Sequence, residues 1–299
     1  MKKKKIIYSS LIIIITLFII TFIYNYNIKN KMNTTLEQLQ NNGKSQMMGY
    51  IIKTDNNKVI VIDGGTSDDT TNLVNKINEY TGKVDYWFIT HPHRDHATCF
   101  IDIVNNYNID IGKVYVTVND EEWYKEHGEG RDEECIRFLN TLKEEKIVNK
   151  VEEVYLNEEM QIDNIKCEIL GIKNPEITIN SVNNSSMVIK MTTKNNSILF
   201  LGDTGAESGK KLLENQLEKL KVNILQMAHH GQNGVTQEVY NFIKPKICLW
   251  PTPDWLWIND SGNGEDSGPW KTKETRKWIE ELNIKNNIIE KDGNIKISI

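Results

Sequence analysis

Four side chains that can bind a metal ion lie within six residues of this chain: His91, His93, Asp95 and His96. They follow the mostly apolar run at residues 84–89, which predicts a strand that ends where this loop begins. Imidazole nitrogen and carboxylate oxygen form the mixed ligand set that zinc and similar divalent ions prefer. Because side chains alternate along extended backbone, His91 and His93 can face one point while Asp95 and His96 diverge toward a second. The loop is therefore suited to two neighbouring ions.

Other apolar runs end in residues of the same kind. One run ends at Gly202 and Asp203, and another ends at the pair His229 and His230. A buried strand delivers a polar side chain to the rim of a sheet in this way, so these residues are further candidate ligands. Asp63 follows residues 59–62 in the same pattern. Because two glycines come next, we expect Asp63 to orient a ligand histidine rather than to bind a metal itself.

These motifs resemble the metallo-β-lactamase superfamily, and within it the extracellular domain of ComEC-type competence proteins. Bacterial phosphorylcholine esterases carry a related arrangement. The resemblance covers residues 46–299 and rests on His91-x-His93-x-Asp95-His96 together with Asp63-Gly64-Gly65, Asn184-Ser-Ser186-Met-Val188, Leu201-Gly202-Asp203 and His229-His230-Gly231. It implies an α/β fold of the αβ/βα sandwich type, in which two mixed β-sheets are flanked by helices.

The resemblance also implies a ligand set for two divalent ions. His91 and His93 would hold the first ion, Asp95 and His96 the second, Asp203 would bridge them, and His230 would be the final ligand. His229 would contact a phosphoryl oxygen or protonate a leaving group, and Asp95 would orient the metal-bound hydroxide that attacks. The order of His229 and His230 in these roles stays open.

The chain departs from the family pattern at one ligand. Many members supply a third histidine to the first ion from the loop that corresponds to residues 180–185, and here that loop contains none. Water, Asn184 or the substrate would have to fill this position. Zinc is the first expectation, and the richer oxygen shell makes manganese the alternative. The missing histidine also argues against a true β-lactamase.

The first residues of the chain predict a membrane anchor. Lys2 to Lys5 precede 19 uncharged residues, 6–24, which is long enough to cross a bilayer as a helix. The lysines place the N-terminus in the cytoplasm, so the rest of the chain would face outward as a single-pass protein. A cleaved, secreted form is the alternative. We therefore divide the chain into a signal anchor at 1–24, a linker at 25–45 and a catalytic domain at 46–299.

The outward part is strongly acidic. All 41 acids lie there, against 30 of the 36 cations, which leaves a net charge of about −11. Such a field repels polyanions, so nonspecific binding to nucleic acid is not expected. A phosphodiester held directly on metal ions remains compatible with this charge. The sequence gives no indication of the oligomeric state.

Four of the seven tryptophans fall between residues 250 and 270. Trp255, Trp257 and Trp270 are the candidates for a substrate-binding wall that stacks on a base or encloses a quaternary ammonium group. The alternative is that these rings fill the core beneath a long loop.

The pattern of apolar residues predicts alternating strands and helices. Paired strands are expected at 48–54 and 58–62, further strands at 151–155, 166–171, 187–193 and 197–201, and helices at 67–80, 95–107, 133–146, 206–220 and 272–282.

Together these features predict a membrane-anchored, extracytoplasmic, metal-dependent hydrolase of a phosphodiester. The substrate would be a nucleotide, a nucleic-acid strand or a phosphorylcholine-type ester. Two alternatives stay open: a thioester, lactone or amide hydrolase of the same fold, and a surface binding module that keeps the metal for stability alone.

Overall fold

The computed structural model describes residues 34–299, together with residues 16, 18, 19 and 21. Strands account for much of residues 34–299, which form one compact unit. In chain order the strands are β1 (Thr35–Gln38), β2 (Gly49–Lys53), β3 (Val59–Asp63), β4 (Lys83–Phe88), β5 (Asp110–Val116), β6 (Val151–Glu153), β7 (Glu159–Ile162), β8 (Ile165–Gly171), β9 (Val188–Thr192), β10 (Ser197–Phe200), β11 (Ile224–Gln226), β12 (Ile247–Trp250), β13 (Asn286–Ile289) and β14 (Ile295–Ser298).

These strands form two mixed sheets of seven strands each. The order in the first sheet is β14-β1-β2-β3-β4-β5-β6, and the order in the second is β13-β12-β11-β10-β9-β8-β7. β3, β4, β5 and β6 run parallel to one another, and so do β10, β11, β12 and β13. Parallel strands place their carboxyl ends at one edge of a sheet, so the loops that follow them collect there.

The helices are amphipathic and cover the sheets. Within the described residues they are α1 (Thr70–Tyr80), α2 (Arg94–Asn106), α3 (Glu121–His127), α4 (Asp132–Leu142), α5 (Ser181–Asn184), α6 (Ala206–Asn215), α7 (Gln237–Ile243), α8 (Asp254–Trp257) and α9 (Thr272–Glu281). In α1, for example, Leu73, Val74 and Ile77 are buried at helical spacing. These three side chains place one stripe of the helix against the first sheet.

The core has three layers, as the αβ/βα sandwich requires. The central layer joins the two sheets, where the rings of Tyr50 and Phe200 meet at 5.3 Å. The layer outside the first sheet packs Trp87 edge-on against Phe100 of α2 at 5.2 Å. The layer outside the second sheet includes Trp250 and residues of α6, α7 and α9. The predicted fold class, two mixed sheets flanked by helices, is confirmed.

The predicted domain boundary differs from the structure. Residues 35–38, which the sequence analysis assigns to the linker, form β1 and pair with both β2 and β14. Leu36 is buried between the sheets, so this strand belongs to the folded domain. A short strand with polar residues at Thr35, Glu37 and Gln38 carries almost no periodic signal, which explains why composition suggested a linker.

The predicted membrane anchor, residues 1–24, lies outside the described residues except at positions 16, 18, 19 and 21, and residues 25–33 of the predicted linker lie outside them as well. Within the described part, no helix has the length and apolar character needed to span a membrane.

Two predicted helices are shorter in the structure. The helix expected at 133–146 ends at Leu142, because the chain turns to bury Ile147. The helix expected at 206–220 ends at Asn215, since the backbone at Gln216 leaves the helical region with φ −128°, and a short 3-10 helix follows. Both differences lie at helix ends, where apolar spacing is a weak guide.

Candidate metal centre

The candidate ligands meet where the carboxyl ends of the strands come together. β3 ends at Asp63, the loop after β4 carries His91 to His96, the loop after β10 carries Asp203, and the loop after β11 carries the histidine pair. The amide of Gln226 fixes the loop before Asp203, because its oxygen accepts the backbone N–H groups of Leu201 and Gly202 at 2.7 and 2.8 Å. The sheet edge thus positions every ligand loop.

Glycines allow two of these loops to turn sharply. Gly231 has φ +76°, and a Cβ atom there would lie 2.5 Å from the ring of Trp250. Gly202 has φ +56°, and a Cβ atom there would lie 3.0 Å from Ser186. Side chains at either position would force the neighbouring ligands, His230 and Asp203, away from their places.

Asp203 lies at the centre of the site. Its Oδ2 atom is 3.2 Å from His96 Nε2, 3.5 Å from His230 Nε2, and 3.8 Å from both His91 Nε2 and His229 Nε2. One carboxylate oxygen therefore faces four imidazole nitrogens. A carboxylate in this position is able to contact two neighbouring ions.

Several buried polar atoms of the cluster lack hydrogen-bond partners, which indicates whether the site suits a divalent ion. Asp95 Oδ1, His96 Nε2, Asp203 Oδ1 and His230 Nε2 are all buried, and none of them has a hydrogen-bond partner within the described part of the chain. Ligand atoms from these four residues lie within 4.8 Å of one another. Orphaned polar atoms at such a point carry a large desolvation cost unless a ligand satisfies them. The residues therefore fit a divalent cation, and mixed imidazole and carboxylate donors suit zinc or manganese.

Hydrogen bonds behind two of the histidines turn their Nε2 atoms toward the cluster. His96 Nδ1 lies 2.8 Å from Asp63 Oδ2, and His230 Nδ1 lies 2.8 Å from the carbonyl oxygen of Pro251. An N–H donated from Nδ1 leaves the Nε2 lone pair free, which is the tautomer that binds a metal. Asp63 is itself held by the backbone N–H of Thr90 at 2.7 Å. It lies behind His96, the place that the sequence suggested for an orienting carboxylate.

His91 and His93 form the other half of the site. His91 Nε2 lies 3.1 Å from His93 Nδ1, so both nitrogens point at one place, and His91 Nε2 also faces Asp203. Hydroxyl groups of Thr90 and Ser186 lie 3.1 and 3.3 Å from His91 Nδ1 and fix its ring. Both histidines are buried, at 1% and 6% exposure. This arrangement is compatible with two ions. An ion held by these two histidines and an ion held by the other ligands would both contact Asp203.

The two adjacent histidines have different environments. The His230 side chain is fully buried, whereas that of His229 is 15% exposed. His229 Nε2 lies 3.8 Å from Asp203 and 3.4 Å from the Asn183 amide nitrogen, at the solvent side of the cluster. Both residues have positive φ angles, which turn their side chains apart. His230 thus faces the cluster from a fully buried position, whereas His229 lies at its solvent side.

The buried charges shift the pKa values of the ligands in the metal-free site. Burial lowers the pKa of His230, but the carboxylates of Asp203 and Asp95 outweigh it and raise this pKa to about 10. The pKa of His96 is likewise raised, by Asp203 and Asp63 against the effect of burial. Burial lowers the pKa of His93 to about 3 and lowers that of His229. A cation that binds at Nε2 of His230 or His96 therefore competes with a proton.

Metal binding at pH 7 is expected to release about one proton or more, because a cation must displace the proton on His230 or His96. A raised pKa means that protons compete more strongly as the pH falls, so the apparent metal affinity should increase with pH up to about 10. Titration calorimetry of the full chain with zinc, in two buffers of different ionisation enthalpy, measures the number released. Heats that do not depend on the buffer would contradict this expectation.

Asn184 does not lie at the metal site, contrary to the expectation from the sequence. Its amide is saturated elsewhere: the oxygen accepts the backbone N–H groups of Gly205 and Ser208 at 3.1 Å, and the nitrogen donates to Ile179 and Glu207. Asn184 thus fixes the start of α6. Because one residue rotates a helix by about 100°, it is Asn183 on α5 that faces His229.

Gln46 is a site residue that the sequence analysis missed. Its Nε2 atom donates to Asp95 Oδ2 at 2.8 Å, and its Oε1 atom accepts the Gln232 amide at 2.8 Å. The glutamine therefore links a ligand to the loop that carries His230. No residue-level signal marks Gln46, because it lies at the start of an apolar segment and far from every motif.

Gln46→Ala is expected to weaken metal binding about tenfold, because the loss of a hydrogen bond to a ligating carboxylate typically costs ten to a hundredfold. Gln161→Ala, on the exposed strand β7, is the matched control and should bind metal as the wild type does. Competition of each variant with a chromogenic chelator measures the affinity. Equal affinities for wild type and Gln46→Ala would show that Asp95 needs no such support.

The three candidate substrate-binding tryptophans pack in two separate places. Arg276 covers the ring of Trp257 at 4.1 Å, and Trp250 meets the same ring edge-on at 5.3 Å. Trp255 contacts Trp270 at 4.8 Å. Among the described residues, no hydrogen bond or ring contact joins these three side chains to the metal cluster. The face of Trp257 is already occupied by a cation, which argues against a quaternary ammonium group there.

The sequence pattern of the Metallo-beta-lactamase superfamily matches residues 46–246. The chain belongs to this superfamily. Its members are generally metal-dependent hydrolases, and the His/Asp cluster described above is the candidate metal site of this member.

One curated relative is ComE operon protein 3 of Bacillus subtilis (strain 168), which is 29% identical over 120 residues. The match covers 38% of this chain but only 15% of that protein. The chain therefore corresponds to a small part of this relative.

Solved structures share the fold at low sequence identity. The metallo-β-lactamase fold protein YhfI of Bacillus subtilis is 11% identical with a TM-score of 0.53, over 89% of this chain and 99% of that one. CmlA, a diiron β-hydroxylase of Streptomyces venezuelae, is 12% identical with a TM-score of 0.55, over 89% of this chain and 54% of that one. At such low identity the likeness establishes the architecture alone and leaves the substrate to be argued from the site.

Proposed function

We propose that this chain is a metal-dependent phosphodiesterase. The observation that carries the proposal is the set of four buried ligand atoms, one each from Asp95, His96, Asp203 and His230, that have no hydrogen-bond partner among the described residues. They lie beside His229, whose side chain is 15% exposed. Divalent ions held there would activate water for attack and neutralise the charge that develops on phosphoryl oxygens. A site that only stabilised the fold would be closed. The partly exposed side chain of His229, beside Asp203, supports a site that a substrate can approach.

The chain's own residues supply the proton transfers. Burial keeps the pKa of His229 low, so its imidazole is neutral near pH 7 and accepts a proton first. It would take this proton from the attacking water and return it to the leaving alkoxide, as a general base and then a general acid. Gln46 donates to Asp95 Oδ2 at 2.8 Å and would hold this carboxylate in place to orient the nucleophile.

We further propose that the domain is anchored in the cell membrane and faces outward. The lysines at positions 2–5 and the uncharged residues 6–24 support this location. Fractionation of cells that express the full chain, followed by protease treatment of intact cells, would test it. Recovery of the whole protein in the soluble cytoplasmic fraction would contradict it.

A panel of substrates tests the activity. The full chain, loaded with zinc or with manganese, is assayed on bis(p-nitrophenyl) phosphate, p-nitrophenyl phosphorylcholine, single-stranded DNA and nitrocefin. We expect metal-dependent cleavage of the phosphodiesters and none of nitrocefin. Turnover of acyl substrates alone would favour a thioester, lactone or amide hydrolase. Full metal occupancy without turnover of any substrate would favour a binding module.

A further inference from the structure

The ring of His229 lies between two polar groups, one beside each of its nitrogen atoms. Nδ1 lies 3.4 Å from the backbone carbonyl oxygen of Asn233, and Nε2 lies 3.4 Å from the side-chain nitrogen of Asn183. A carbonyl oxygen only accepts hydrogen bonds, and an amide nitrogen only donates them. Both contacts are therefore favourable when the neutral ring carries its proton on Nδ1 and keeps a lone pair on Nε2.

The nitrogen that keeps the lone pair is the one that faces the metal cluster. His229 Nε2 lies 3.8 Å from Asp203 Oδ2, which is beyond hydrogen-bond distance. The other tautomer would point an N–H group at the Asn183 amide nitrogen and a lone pair at the Asn233 carbonyl oxygen, so both contacts would become repulsive. The two asparagines thus decide whether the nitrogen beside the cluster can accept a proton.

A chain of hydrogen bonds fixes the orientation of the Asn183 amide. Asn183 Nδ2 donates to Asn180 Oδ1 at 2.8 Å, and the backbone N–H of Asn180 donates to Glu129 Oε1 at 2.8 Å. An amide nitrogen carries two hydrogens, so the second one is available for His229. Asn183 is only 6% exposed. The short helix α5 therefore holds a hydrogen-bond donor in a fixed place against the ring.

This orientation leaves the other polar atom of Asn183 unsatisfied. Its Oδ1 atom is buried and has no hydrogen-bond partner among residues 34–299. A buried acceptor without a partner opposes folding, and a small apolar side chain at this position would avoid that cost. The stability of the fold alone therefore does not explain an asparagine here, whereas the contact with His229 does.

We propose that Asn183 is a positioning residue that selects the Nδ1–H tautomer of His229. The inference rests on the proposed function and deepens it, because it names the group that prepares His229 Nε2 for proton transfer. In that step Nε2 takes one proton from the attacking water and passes it to the leaving alkoxide, while Asn183 gives up no proton. Asn233 assists through its backbone, so Asn183 is the partner that a substitution can change.

Nitrogen NMR of the zinc-loaded full chain, isotopically labelled on histidine only, locates the proton on each ring. The signals of His229 are identified by their absence from the spectrum of His229→Gln. We expect the proton on Nδ1 in the wild type. Asn183→Asp keeps the shape of the side chain but replaces the donor with an oxygen that only accepts, so a proton should appear on Nε2. The kcat on bis(p-nitrophenyl) phosphate should fall about tenfold to a hundredfold, at unchanged zinc content.

Two further variants separate positioning from folding. Asn183→Ala removes the donor together with the unpartnered oxygen, so it should lower kcat while the melting temperature stays close to that of the wild type. Asn108→Asp, at an exposed loop position, is the matched control and should change neither the His229 signals nor the rate.

The spectra decide the inference without any substrate. A wild-type His229 with its proton on Nε2 would overturn it, and so would His229 signals in Asn183→Asp that match those of the wild type. If the spectra agree with the inference but no phosphodiester is cleaved, the proposed activity fails and the tautomer assignment stands.

Discussion

Asp203→Asn is expected to remove metal binding at the cluster and to lower kcat on any phosphodiester by about a thousandfold or more. The Asp203 carboxylate faces four imidazole nitrogens at 3.2 to 3.8 Å, and its other oxygen is buried without a partner. An amide of the same shape keeps the volume but loses the negative charge that a divalent ion needs. Both halves of the site depend on this one residue.

Metal content by mass spectrometry and the rate on bis(p-nitrophenyl) phosphate measure the effect. Asp110→Asn is the matched control, because Asp110 is exposed and its ion pair among the described residues is with Lys150 at the surface. The control should keep metal and activity. Asp203→Asn protein that retains wild-type metal content and turnover would show that the cluster is not the catalytic centre.

His230→Gln is expected to abolish metal binding, whereas His229→Gln is expected to leave it unchanged. His230 is fully buried, donates Nδ1–H to Pro251 and turns an unpartnered Nε2 toward Asp95 and Asp203, so its loss should release metal. His229 is partly exposed and borders the cluster. Its loss should leave metal in place but lower kcat about a hundredfold to ten-thousandfold, which is the usual contribution of a general acid or base.

The pH profile distinguishes a catalytic role of His229 from a structural one. If His229 transfers protons, the acidic limb of the kcat profile should disappear in His229→Gln, while the melting temperature stays close to that of the wild type. The opposite pattern, with metal lost in His229→Gln and kept in His230→Gln, would exchange the roles of the two histidines.

The sequence by itself indicated which residue types gather at the candidate metal site and, through the family resemblance, the class of fold. Strand ends that carry histidine or aspartate can be read from the chain because apolar runs and polar termini are local features. This reading found His91, His93, Asp95, His96, Asp203 and His230, as well as Asp63, and the structure brings all of them to one edge of the two sheets. The resemblance of these motifs to the metallo-β-lactamase superfamily then implied the αβ/βα sandwich.

Only the tertiary structure decided what depends on long-range pairing and on side-chain direction. β1 became part of a sheet because it pairs with β14, which is more than 250 residues away, and short polar strands carry no local signal. Loop packing places the amide of Gln46 against Asp95. Helix rotation directs Asn183, rather than Asn184, toward His229. Periodicity records which residues are buried, whereas the partners of a polar group are set by the chain that packs against it.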